Sequence, residues 1–291
     1  MRFCLVTFWL VGACAYSNGP AADDGGGDDG GDPDAPPADD IDAAPGTPDA
    51  PPQAGGVARL ALSEVVLTPN EGEMIEIANP TAAAVDLSDY WITDVATYYQ
   101  LPAGTASISP SDFVARFPAG AQIAAGAVQT IALPAATVFQ TRYGAAPTYA
   151  VTGGTMTVML DAAMTPATIT NTGEPVILFY WDGESDLVTD VDLLIAGAPS
   201  MVNQLQNKSG AVVDGPDGDS STSAYTADAM SIGTTNVPGI DQSIKRVMAE
   251  SGFEGQSGTG NGVMGDDETS ETTTTTWDTA FTTPDPGVRS F

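Results

Sequence analysis

Residues 15–56 set the first limit on what this chain can fold into, because 36 of those 42 residues are Ala, Asp, Gly or Pro and Ile41 is the sole large aliphatic. Such a segment buries too little apolar surface to offset the entropy of ordering its backbone, so it is expected to stay disordered. Ten aspartates, eight prolines and no lysine or arginine favour extended conformations. The expected span lies between ~36 Å for a flexible coil and ~130 Å for a polyproline path. The tract reads as a tether, and a packed core has to come from the residues C-terminal to it. The sequence then divides into a signal segment (1–13), Cys14 with an acidic tether (14–56), and a folded domain (57–291).

Residue types narrow the function. Eight Lys+Arg against 38 Asp+Glu give a net charge of −30, and the chain has no histidine. A polyanion partner needs clustered cations that release counterions, so nucleic acid is excluded as an expected partner. Without histidine there is no Ser-His-Asp or Cys-His nucleophile pair and no His-ligated metal.

Met1-Arg2 followed by the apolar run from Phe3 to Gly12 has the length of a signal-peptide core and is too short to span a bilayer. Val11-Gly12-Ala13-Cys14 resembles the lipobox of bacterial lipoproteins, with Val11 where Leu is usual. That resemblance implies lipidation of Cys14, and Ala15 after it resembles lipoproteins sent to the outer membrane. The expected location is the bacterial cell envelope, with membrane contact through the N-terminal lipid. The alternative is an ordinary secretory signal cut near Ala13 or Ala15, or an unprocessed anchor. With Cys4 leaving in the signal, no cysteine remains for a disulfide.

From Val57 the pattern alternates with a period of two, broken by turn residues every eight to twelve positions. Strands are expected over 60–67, 73–78, 85–93, 98–101, 113–117, 128–133, 155–160, 176–181, 191–195 and 243–248. Ile75 and Ile77 share one face, while Met74, Glu76 and Ala78 share the other, which is expected to meet water. Only 135–143 looks helical, with Val138, Phe139 and Arg142 at helical spacing. Core candidates are Ile75, Ile77, Val85, Leu87, Trp91 and Ile92, while Asn79-Pro80 and Asp86 read as turn residues. The expected fold is all-β, a sandwich with one short helix.

The order of motifs resembles the lamin tail domain family. Ser63-Glu64-Val65, Pro69, Ile75-Glu76-Ile77-Ala78-Asn79-Pro80, Val85-Asp86-Leu87-Ser88 and Tyr90-Trp91-Ile92-Thr93-Asp94 carry the resemblance. Weaker matches occur at Phe117-Pro118-Ala119-Gly120, Asp190-Val191-Asp192, Asn207-Lys208-Ser209-Gly210, Asp214-Gly215-Pro216-Asp217 and Ser243 to Val247. The close at Thr283-Pro284 and Pro286-Gly287 is a looser version of the family's. The resemblance implies an immunoglobulin-like β-sandwich that binds other proteins or attaches at surfaces. The domain is about twice a minimal sandwich, so insertions are expected, chiefly over 145–174 and 200–239.

Several constellations bear on chemistry. Asp214, Asp217 and Asp219 lie in a Gly/Pro turn that could curl oxygen ligands around calcium, although the spacing is not that of an EF-hand. Asp182, Glu184, Asp186, Asp190 and Asp192 form a further acidic group, as do Asp266-Asp267-Glu268. Glu64 and Glu76 could be a paired acid and base, but carboxylates on a wet sheet face are ordinarily solvating. Asp278-Thr279-Ala280 lacks the second copy an aspartic protease needs. Gly258 to Gly262 lacks the βαβ setting of a dinucleotide loop. Thr272–Thr276 reads as an edge strand or a linker, with β-branching favouring the strand. No residue is assigned a catalytic role, and calcium is the one cofactor considered. The expectation is a non-catalytic envelope module that binds a protein or cell-surface partner, with a calcium-dependent surface or adhesion protein as the alternative. A polysaccharide hydrolase using carboxylates alone is the remote third.

Overall fold

The computed structural model describes residues 56–197, 208–228, 237–249 and 259–291. Cys14, the signal segment and the tether up to residue 55 lie outside them, as do 198–207, 229–236 and 250–258. The described elements, in chain order, are β1 (Ala61–Val66), β2 (Met74–Ala78), β3 (Val85–Asp86), β4 (Tyr90–Thr93), β5 (Val114–Arg116), β6 (Gln122–Ile123) and β7 (Val128–Ala132). After these come α1 (Ala136–Tyr143), β8 (Tyr149–Ala150), β9 (Thr157–Met159), β10 (Pro175–Tyr180), β11 (Thr189–Ile195), β12 (Val212–Val213), β13 (Ser223–Ala224), β14 (Ile244–Lys245) and α2 (Thr273–Thr276).

Two five-stranded sheets, ordered β14-β1-β2-β7-β8 and β11-β10-β4-β5-β9, form the sandwich. All neighbours are antiparallel except β7 and β8. The period of two decides what fills the space between them. Val65, Ile75, Ile77 and Ile131 from the first sheet meet Ile92, Ala115, Val176, Leu178 and Leu194 from the second in one buried cluster.

Both outer faces are covered as well. On the first sheet, Phe139 of α1 packs on Val66, Met74, Ala132 and Ala150. Gly144 ends that helix at φ +77°, a left-handed cap that costs glycine nothing. On the second sheet, Trp91, Val114, Ile177, Phe179, Leu193 and Ile195 are covered by Val95, Tyr98, Val213 and Tyr225. Trp91 is therefore a core residue of the outer layer, and its indole N–H donates to Trp181 O at 2.9 Å. Among the described residues no helix is long and apolar enough to cross a membrane.

Four expectations need correction. Residues 98–100 form a 3-10 turn, because Tyr98 and Tyr99 both turn toward the apolar layer over the second sheet, which a period of two would forbid. Residues 85–93 form two short strands, because Asp86 Oδ1 accepts the Ser88 N–H at 2.8 Å and bends the chain. Residues 273–276 form one helical turn instead of a strand, with Trp277 set beneath the Arg246 guanidinium at 4.5 Å; tertiary contact overrides β-propensity. The fourth concerns Glu76, whose face is not wet: it is fully buried and Glu64 is 1% exposed.

The cause is the C-terminal segment, which lies over β1 and β2. Glu64 and Glu76 are cross-strand partners. Asp285 N donates to Glu64 Oε1 at 3.2 Å and Gly287 N to Glu76 Oε2 at 2.6 Å. Ser243 Oγ and Ser63 Oγ donate to the same two carboxylates at 2.5 and 2.8 Å.

Candidate functional site

The turn after β10 is folded by Asp182, whose Oδ1 accepts the N–H groups of Glu184 and Ser185. This delivers Asp186 to the interior at 1% exposure. Residues after β12 approach the same turn through Gly215, where an added Cβ would lie 2.8 Å from the carbonyl oxygens of Glu184 and Ser185. Gly215 N donates to Asp186 Oδ1 at 2.6 Å, whereas Asp186 Oδ2 is buried with no hydrogen-bond partner. One oxygen each from Asp186, Asp214 and Asp217 lies within 4.8 Å of the others. Oxygens ligating one calcium ion at ~2.4 Å can be no farther apart than about that. Asp219 stands outside this group and takes the Ser221 N–H at 2.7 Å. Asp214 and Asp217 thus converge as the loop composition suggests, but with Asp186 as their third member.

A second convergence escapes sequence reading because its members are far apart in the chain. Asp94, Asp112 and Glu174 each place an oxygen within 4.8 Å of the others. Asp94, just past β4, accepts Phe113 N at 2.8 Å through Oδ1, while Oδ2 is buried and unpartnered. Asp112 accepts Ser109 N and Glu174 accepts Thr170 N. Burial, then the neighbouring charge of Glu174, pushes the Asp94 carboxyl well above the usual carboxylate range. Asp112 and Glu174 are raised too, with burial the first cause in each. Among the described residues no Lys or Arg pairs with any of the three.

Two further groups of interior carboxylates are compensated by a buried cation. Arg246 is fully buried, holds both Asp192 oxygens at 2.7 Å and Glu271 Oε1 at 2.8 Å, and donates from Nε to Leu62 O at 2.8 Å. Lys208, also fully buried, hydrogen-bonds Asp190 Oδ2 and lies 3.3 Å from Asp228 Oδ2. The rings of Tyr98 and Tyr225 stand 5.4 and 5.9 Å from its Nζ, and Tyr98 OH donates to Asp190 Oδ1 at 2.5 Å. Asn261 Nδ2 donates to Asp228 Oδ1. Burial works to lower the Lys208 pKa, but Asp190 and Asp228 outweigh it and raise it. Burial lifts Asp228 to about 6 against the pull of Lys208. The later family-like segments are in this way joined in pairs, Asp190 to Lys208 and Asp192 to Arg246.

Other candidates have structural partners. Asp266 pairs with Arg59, and Asp278 Oδ1 accepts Ala280 N at 2.7 Å in a turn. Asp267 accepts Thr269 Oγ1 at 2.6 Å. Gly258 lies outside the described residues, and Gly262 forms an isolated bridge with Asp190. Asn79, fully buried, donates from Nδ2 to Ala83 O, Ile123 O and Ala124 O and accepts from Thr81 N, so it pins the turn after β2.

The family model described as Lamin Tail Domain matches residues 53–215, more than half of the chain. No curated protein and no solved structure matches it. The matched stretch holds all of β1 to β12, with the Asp94–Asp112–Glu174 convergence and the Asp190–Lys208 pair inside it, and ends two residues before Asp217.

Proposed function

Because this chain belongs to the lamin tail domain family, we propose that its immunoglobulin-like sandwich is a non-catalytic binding or scaffolding module, held at the bacterial cell envelope by lipid on Cys14 and set off from it by the acidic tether. The observation that carries the binding role is the sheet edge at β9. Among the described residues this strand pairs with β5 alone, and Thr157 is exposed with Val158 and Met159 half-buried. Both sheet faces are occupied by the chain itself, so the edges and loops are what a partner protein can engage, and β9 offers a strand-addition site.

Anchoring and binding are tested in cells producing the full chain. The wild-type protein is expected in the membrane fraction with incorporated labelled palmitate, and Cys14→Ser is expected in the soluble fraction without label. A Cys14→Ser protein that still carries label would refute the anchor. Cross-linking of the wild type is expected to give a partner adduct that Val158→Lys removes. An adduct indifferent to that change would place binding elsewhere.

A second reading, a calcium-dependent surface or adhesion protein, is favoured by one feature of both convergences. Each contains a buried carboxylate oxygen without a hydrogen-bond partner, Oδ2 of Asp186 and Oδ2 of Asp94, facing two further carboxylates. Leaving such an atom unsatisfied is costly, and a hard cation bound by oxygen ligands would relieve it. Thermal unfolding in 10 mM calcium, 10 mM magnesium or EDTA at matched ionic strength checks it. Binding at ~0.1 to 1 mM raises the midpoint by about 3 to 10 °C with calcium alone. Asp217→Asn and Asp112→Asn each remove part of the shift, and equal shifts with both ions reduce the effect to charge screening.

A further inference from the structure

We propose that Lys208 and Asp190 condense with each other, Lys208 Nζ forming an amide with Asp190 Cγ while Asp228 moves the proton, so that the domain closes itself with a side-chain isopeptide bond.

The chain has two lysines, and their settings differ. Lys245 is partly exposed and pairs with buried Glu64 and with exposed Asp285. The side chain of Lys208 has no exposure, and those of Asp190 and Asp228 have 3% and 1%. Two aromatic rings and the second sheet's apolar layer keep water from the pair. A buried ion pair whose only role were cohesion would be served by a guanidinium, as it is at Arg246 with Asp192. Lysine in that place supplies what arginine cannot, an amine able to lose its proton and act as a nucleophile.

The chemistry balances with the groups present. Asp190 and Asp228 together hold Lys208 in its charged form, so the free amine is the minor species, formed with a carboxylic acid by proton transfer along the Lys208–Asp190 hydrogen bond. The amine lone pair attacks Asp190 Cγ, and the charge that develops on Oδ1 falls on the oxygen already held by Tyr98 OH. Asp228, 3.3 Å from Nζ, takes the proton that nitrogen must give up and passes it to the departing Oδ2 hydroxyl, which leaves as water. The Nζ–Cγ bond has formed and one Cγ–O bond has broken. Both protons lost by nitrogen depart in the water, and Asp228 ends as it began. No oxidant, reductant or activated donor is needed. Water favours the reverse reaction, but effective molarities of about 10⁵ to 10⁸ M for well-placed intramolecular groups, together with the loss of a buried charge pair, favour the amide here.

The bond would tie the insertion containing β12 and β13 to β11. Without a disulfide, this segment is otherwise attached by side chains such as Tyr225, whose OH accepts Val188 N at 2.9 Å and donates to Tyr99 O at 2.9 Å.

Trypsin gives a direct test on the full chain after denaturation, since Lys208 is the one cleavage site between Arg142 and Lys245. Condensation acylates Lys208 and blocks the cut. The expected product is a single fragment, residues 143–245, one water lighter than its sequence mass, with fragmentation placing the link at Lys208 and Asp190. Separate fragments 143–208 and 209–245 at unmodified mass would overturn the proposal, as would a lost water that maps elsewhere. Asp190→Ala is expected to restore cleavage at Lys208. Asp228→Asn is expected to restore it as well, at a circular dichroism spectrum equal to the wild type's. An Asp228→Asn fragment still one water light would remove Asp228 from the reaction. The wild-type mass decides the bond itself whether or not either variant folds.

Discussion

At Glu64 the surroundings set a proton's affinity, and stability depends on it. Burial, opposed by the Ser243 hydroxyl and the Lys245 charge, pushes this carboxyl from 4.5 up to about 7. Below 4.5 both folded and unfolded chains hold the proton, and the contribution of the group is complete. Between 4.5 and 7 the folded state binds more proton than the unfolded one, so stability falls as pH rises through that window, by on the order of 3 kcal/mol. Denaturation midpoints measured from pH 5 to pH 8 are therefore expected to decline, and the decline to be shallower in Glu64→Gln. An identical slope in the variant would assign the effect to other groups, Glu73 first, which burial lifts to about 8. Arg246 makes the opposite case. Arg246→Met leaves Asp192 and Glu271 buried beside no cation and is expected to cost about 3 to 5 kcal/mol in urea unfolding. Little of this is legible in the sequence. Arg246 and Asp192 stand out there through resemblance alone, because 54 residues separate the partners and no local pattern links them.

Strands with strict alternation are readable element by element: Ile75 and Ile77 face the core as the period of two requires, and α1 forms where spacing places it. What fails is inference about the far side of an element. Glu76 alternates with apolar residues in the manner of a solvent-facing position, and its burial comes from a segment some two hundred residues away in sequence. Thr273–Thr276 has strand-like composition and a helical place in the packing. The calcium loop is half legible for the same reason: Asp214 and Asp217 are neighbours in sequence, and Asp186 joins them only by folding. Removing residues 283–291 takes away the backbone donors to Glu64 and Glu76. It also uncovers both carboxyls, and burial is the first cause of their raised pKa, ahead of those donors, so the truncated protein is expected to lose less stability at pH 8 than at pH 5. Differential scanning calorimetry at the two pH values checks this, and an equal loss at both would mean that the segment acts by packing alone.

For the whole molecule the decisive property is layering. Apolar side chains occupy three levels: beneath α1, between the sheets, and outside the second sheet. β10 serves two of them, with Leu178 between the sheets and Ile177 and Phe179 outside. Leu178→Ala is expected to cost about 2 to 5 kcal/mol, or roughly 4 to 20 °C in melting temperature for a domain of this size. Val138→Ala, on the exposed side of α1, is expected to change the melting temperature by less than about 2 °C. The order of the first sheet has a mechanical meaning. A pull arriving at residue 56 reaches β1, which is an inner strand with β2 on one side and β14 on the other. An edge strand under load peels away one hydrogen bond after another. β1 has to part from two ladders together, with the C-terminal segment laid across them, so the point where force enters the domain is among the hardest places to open it.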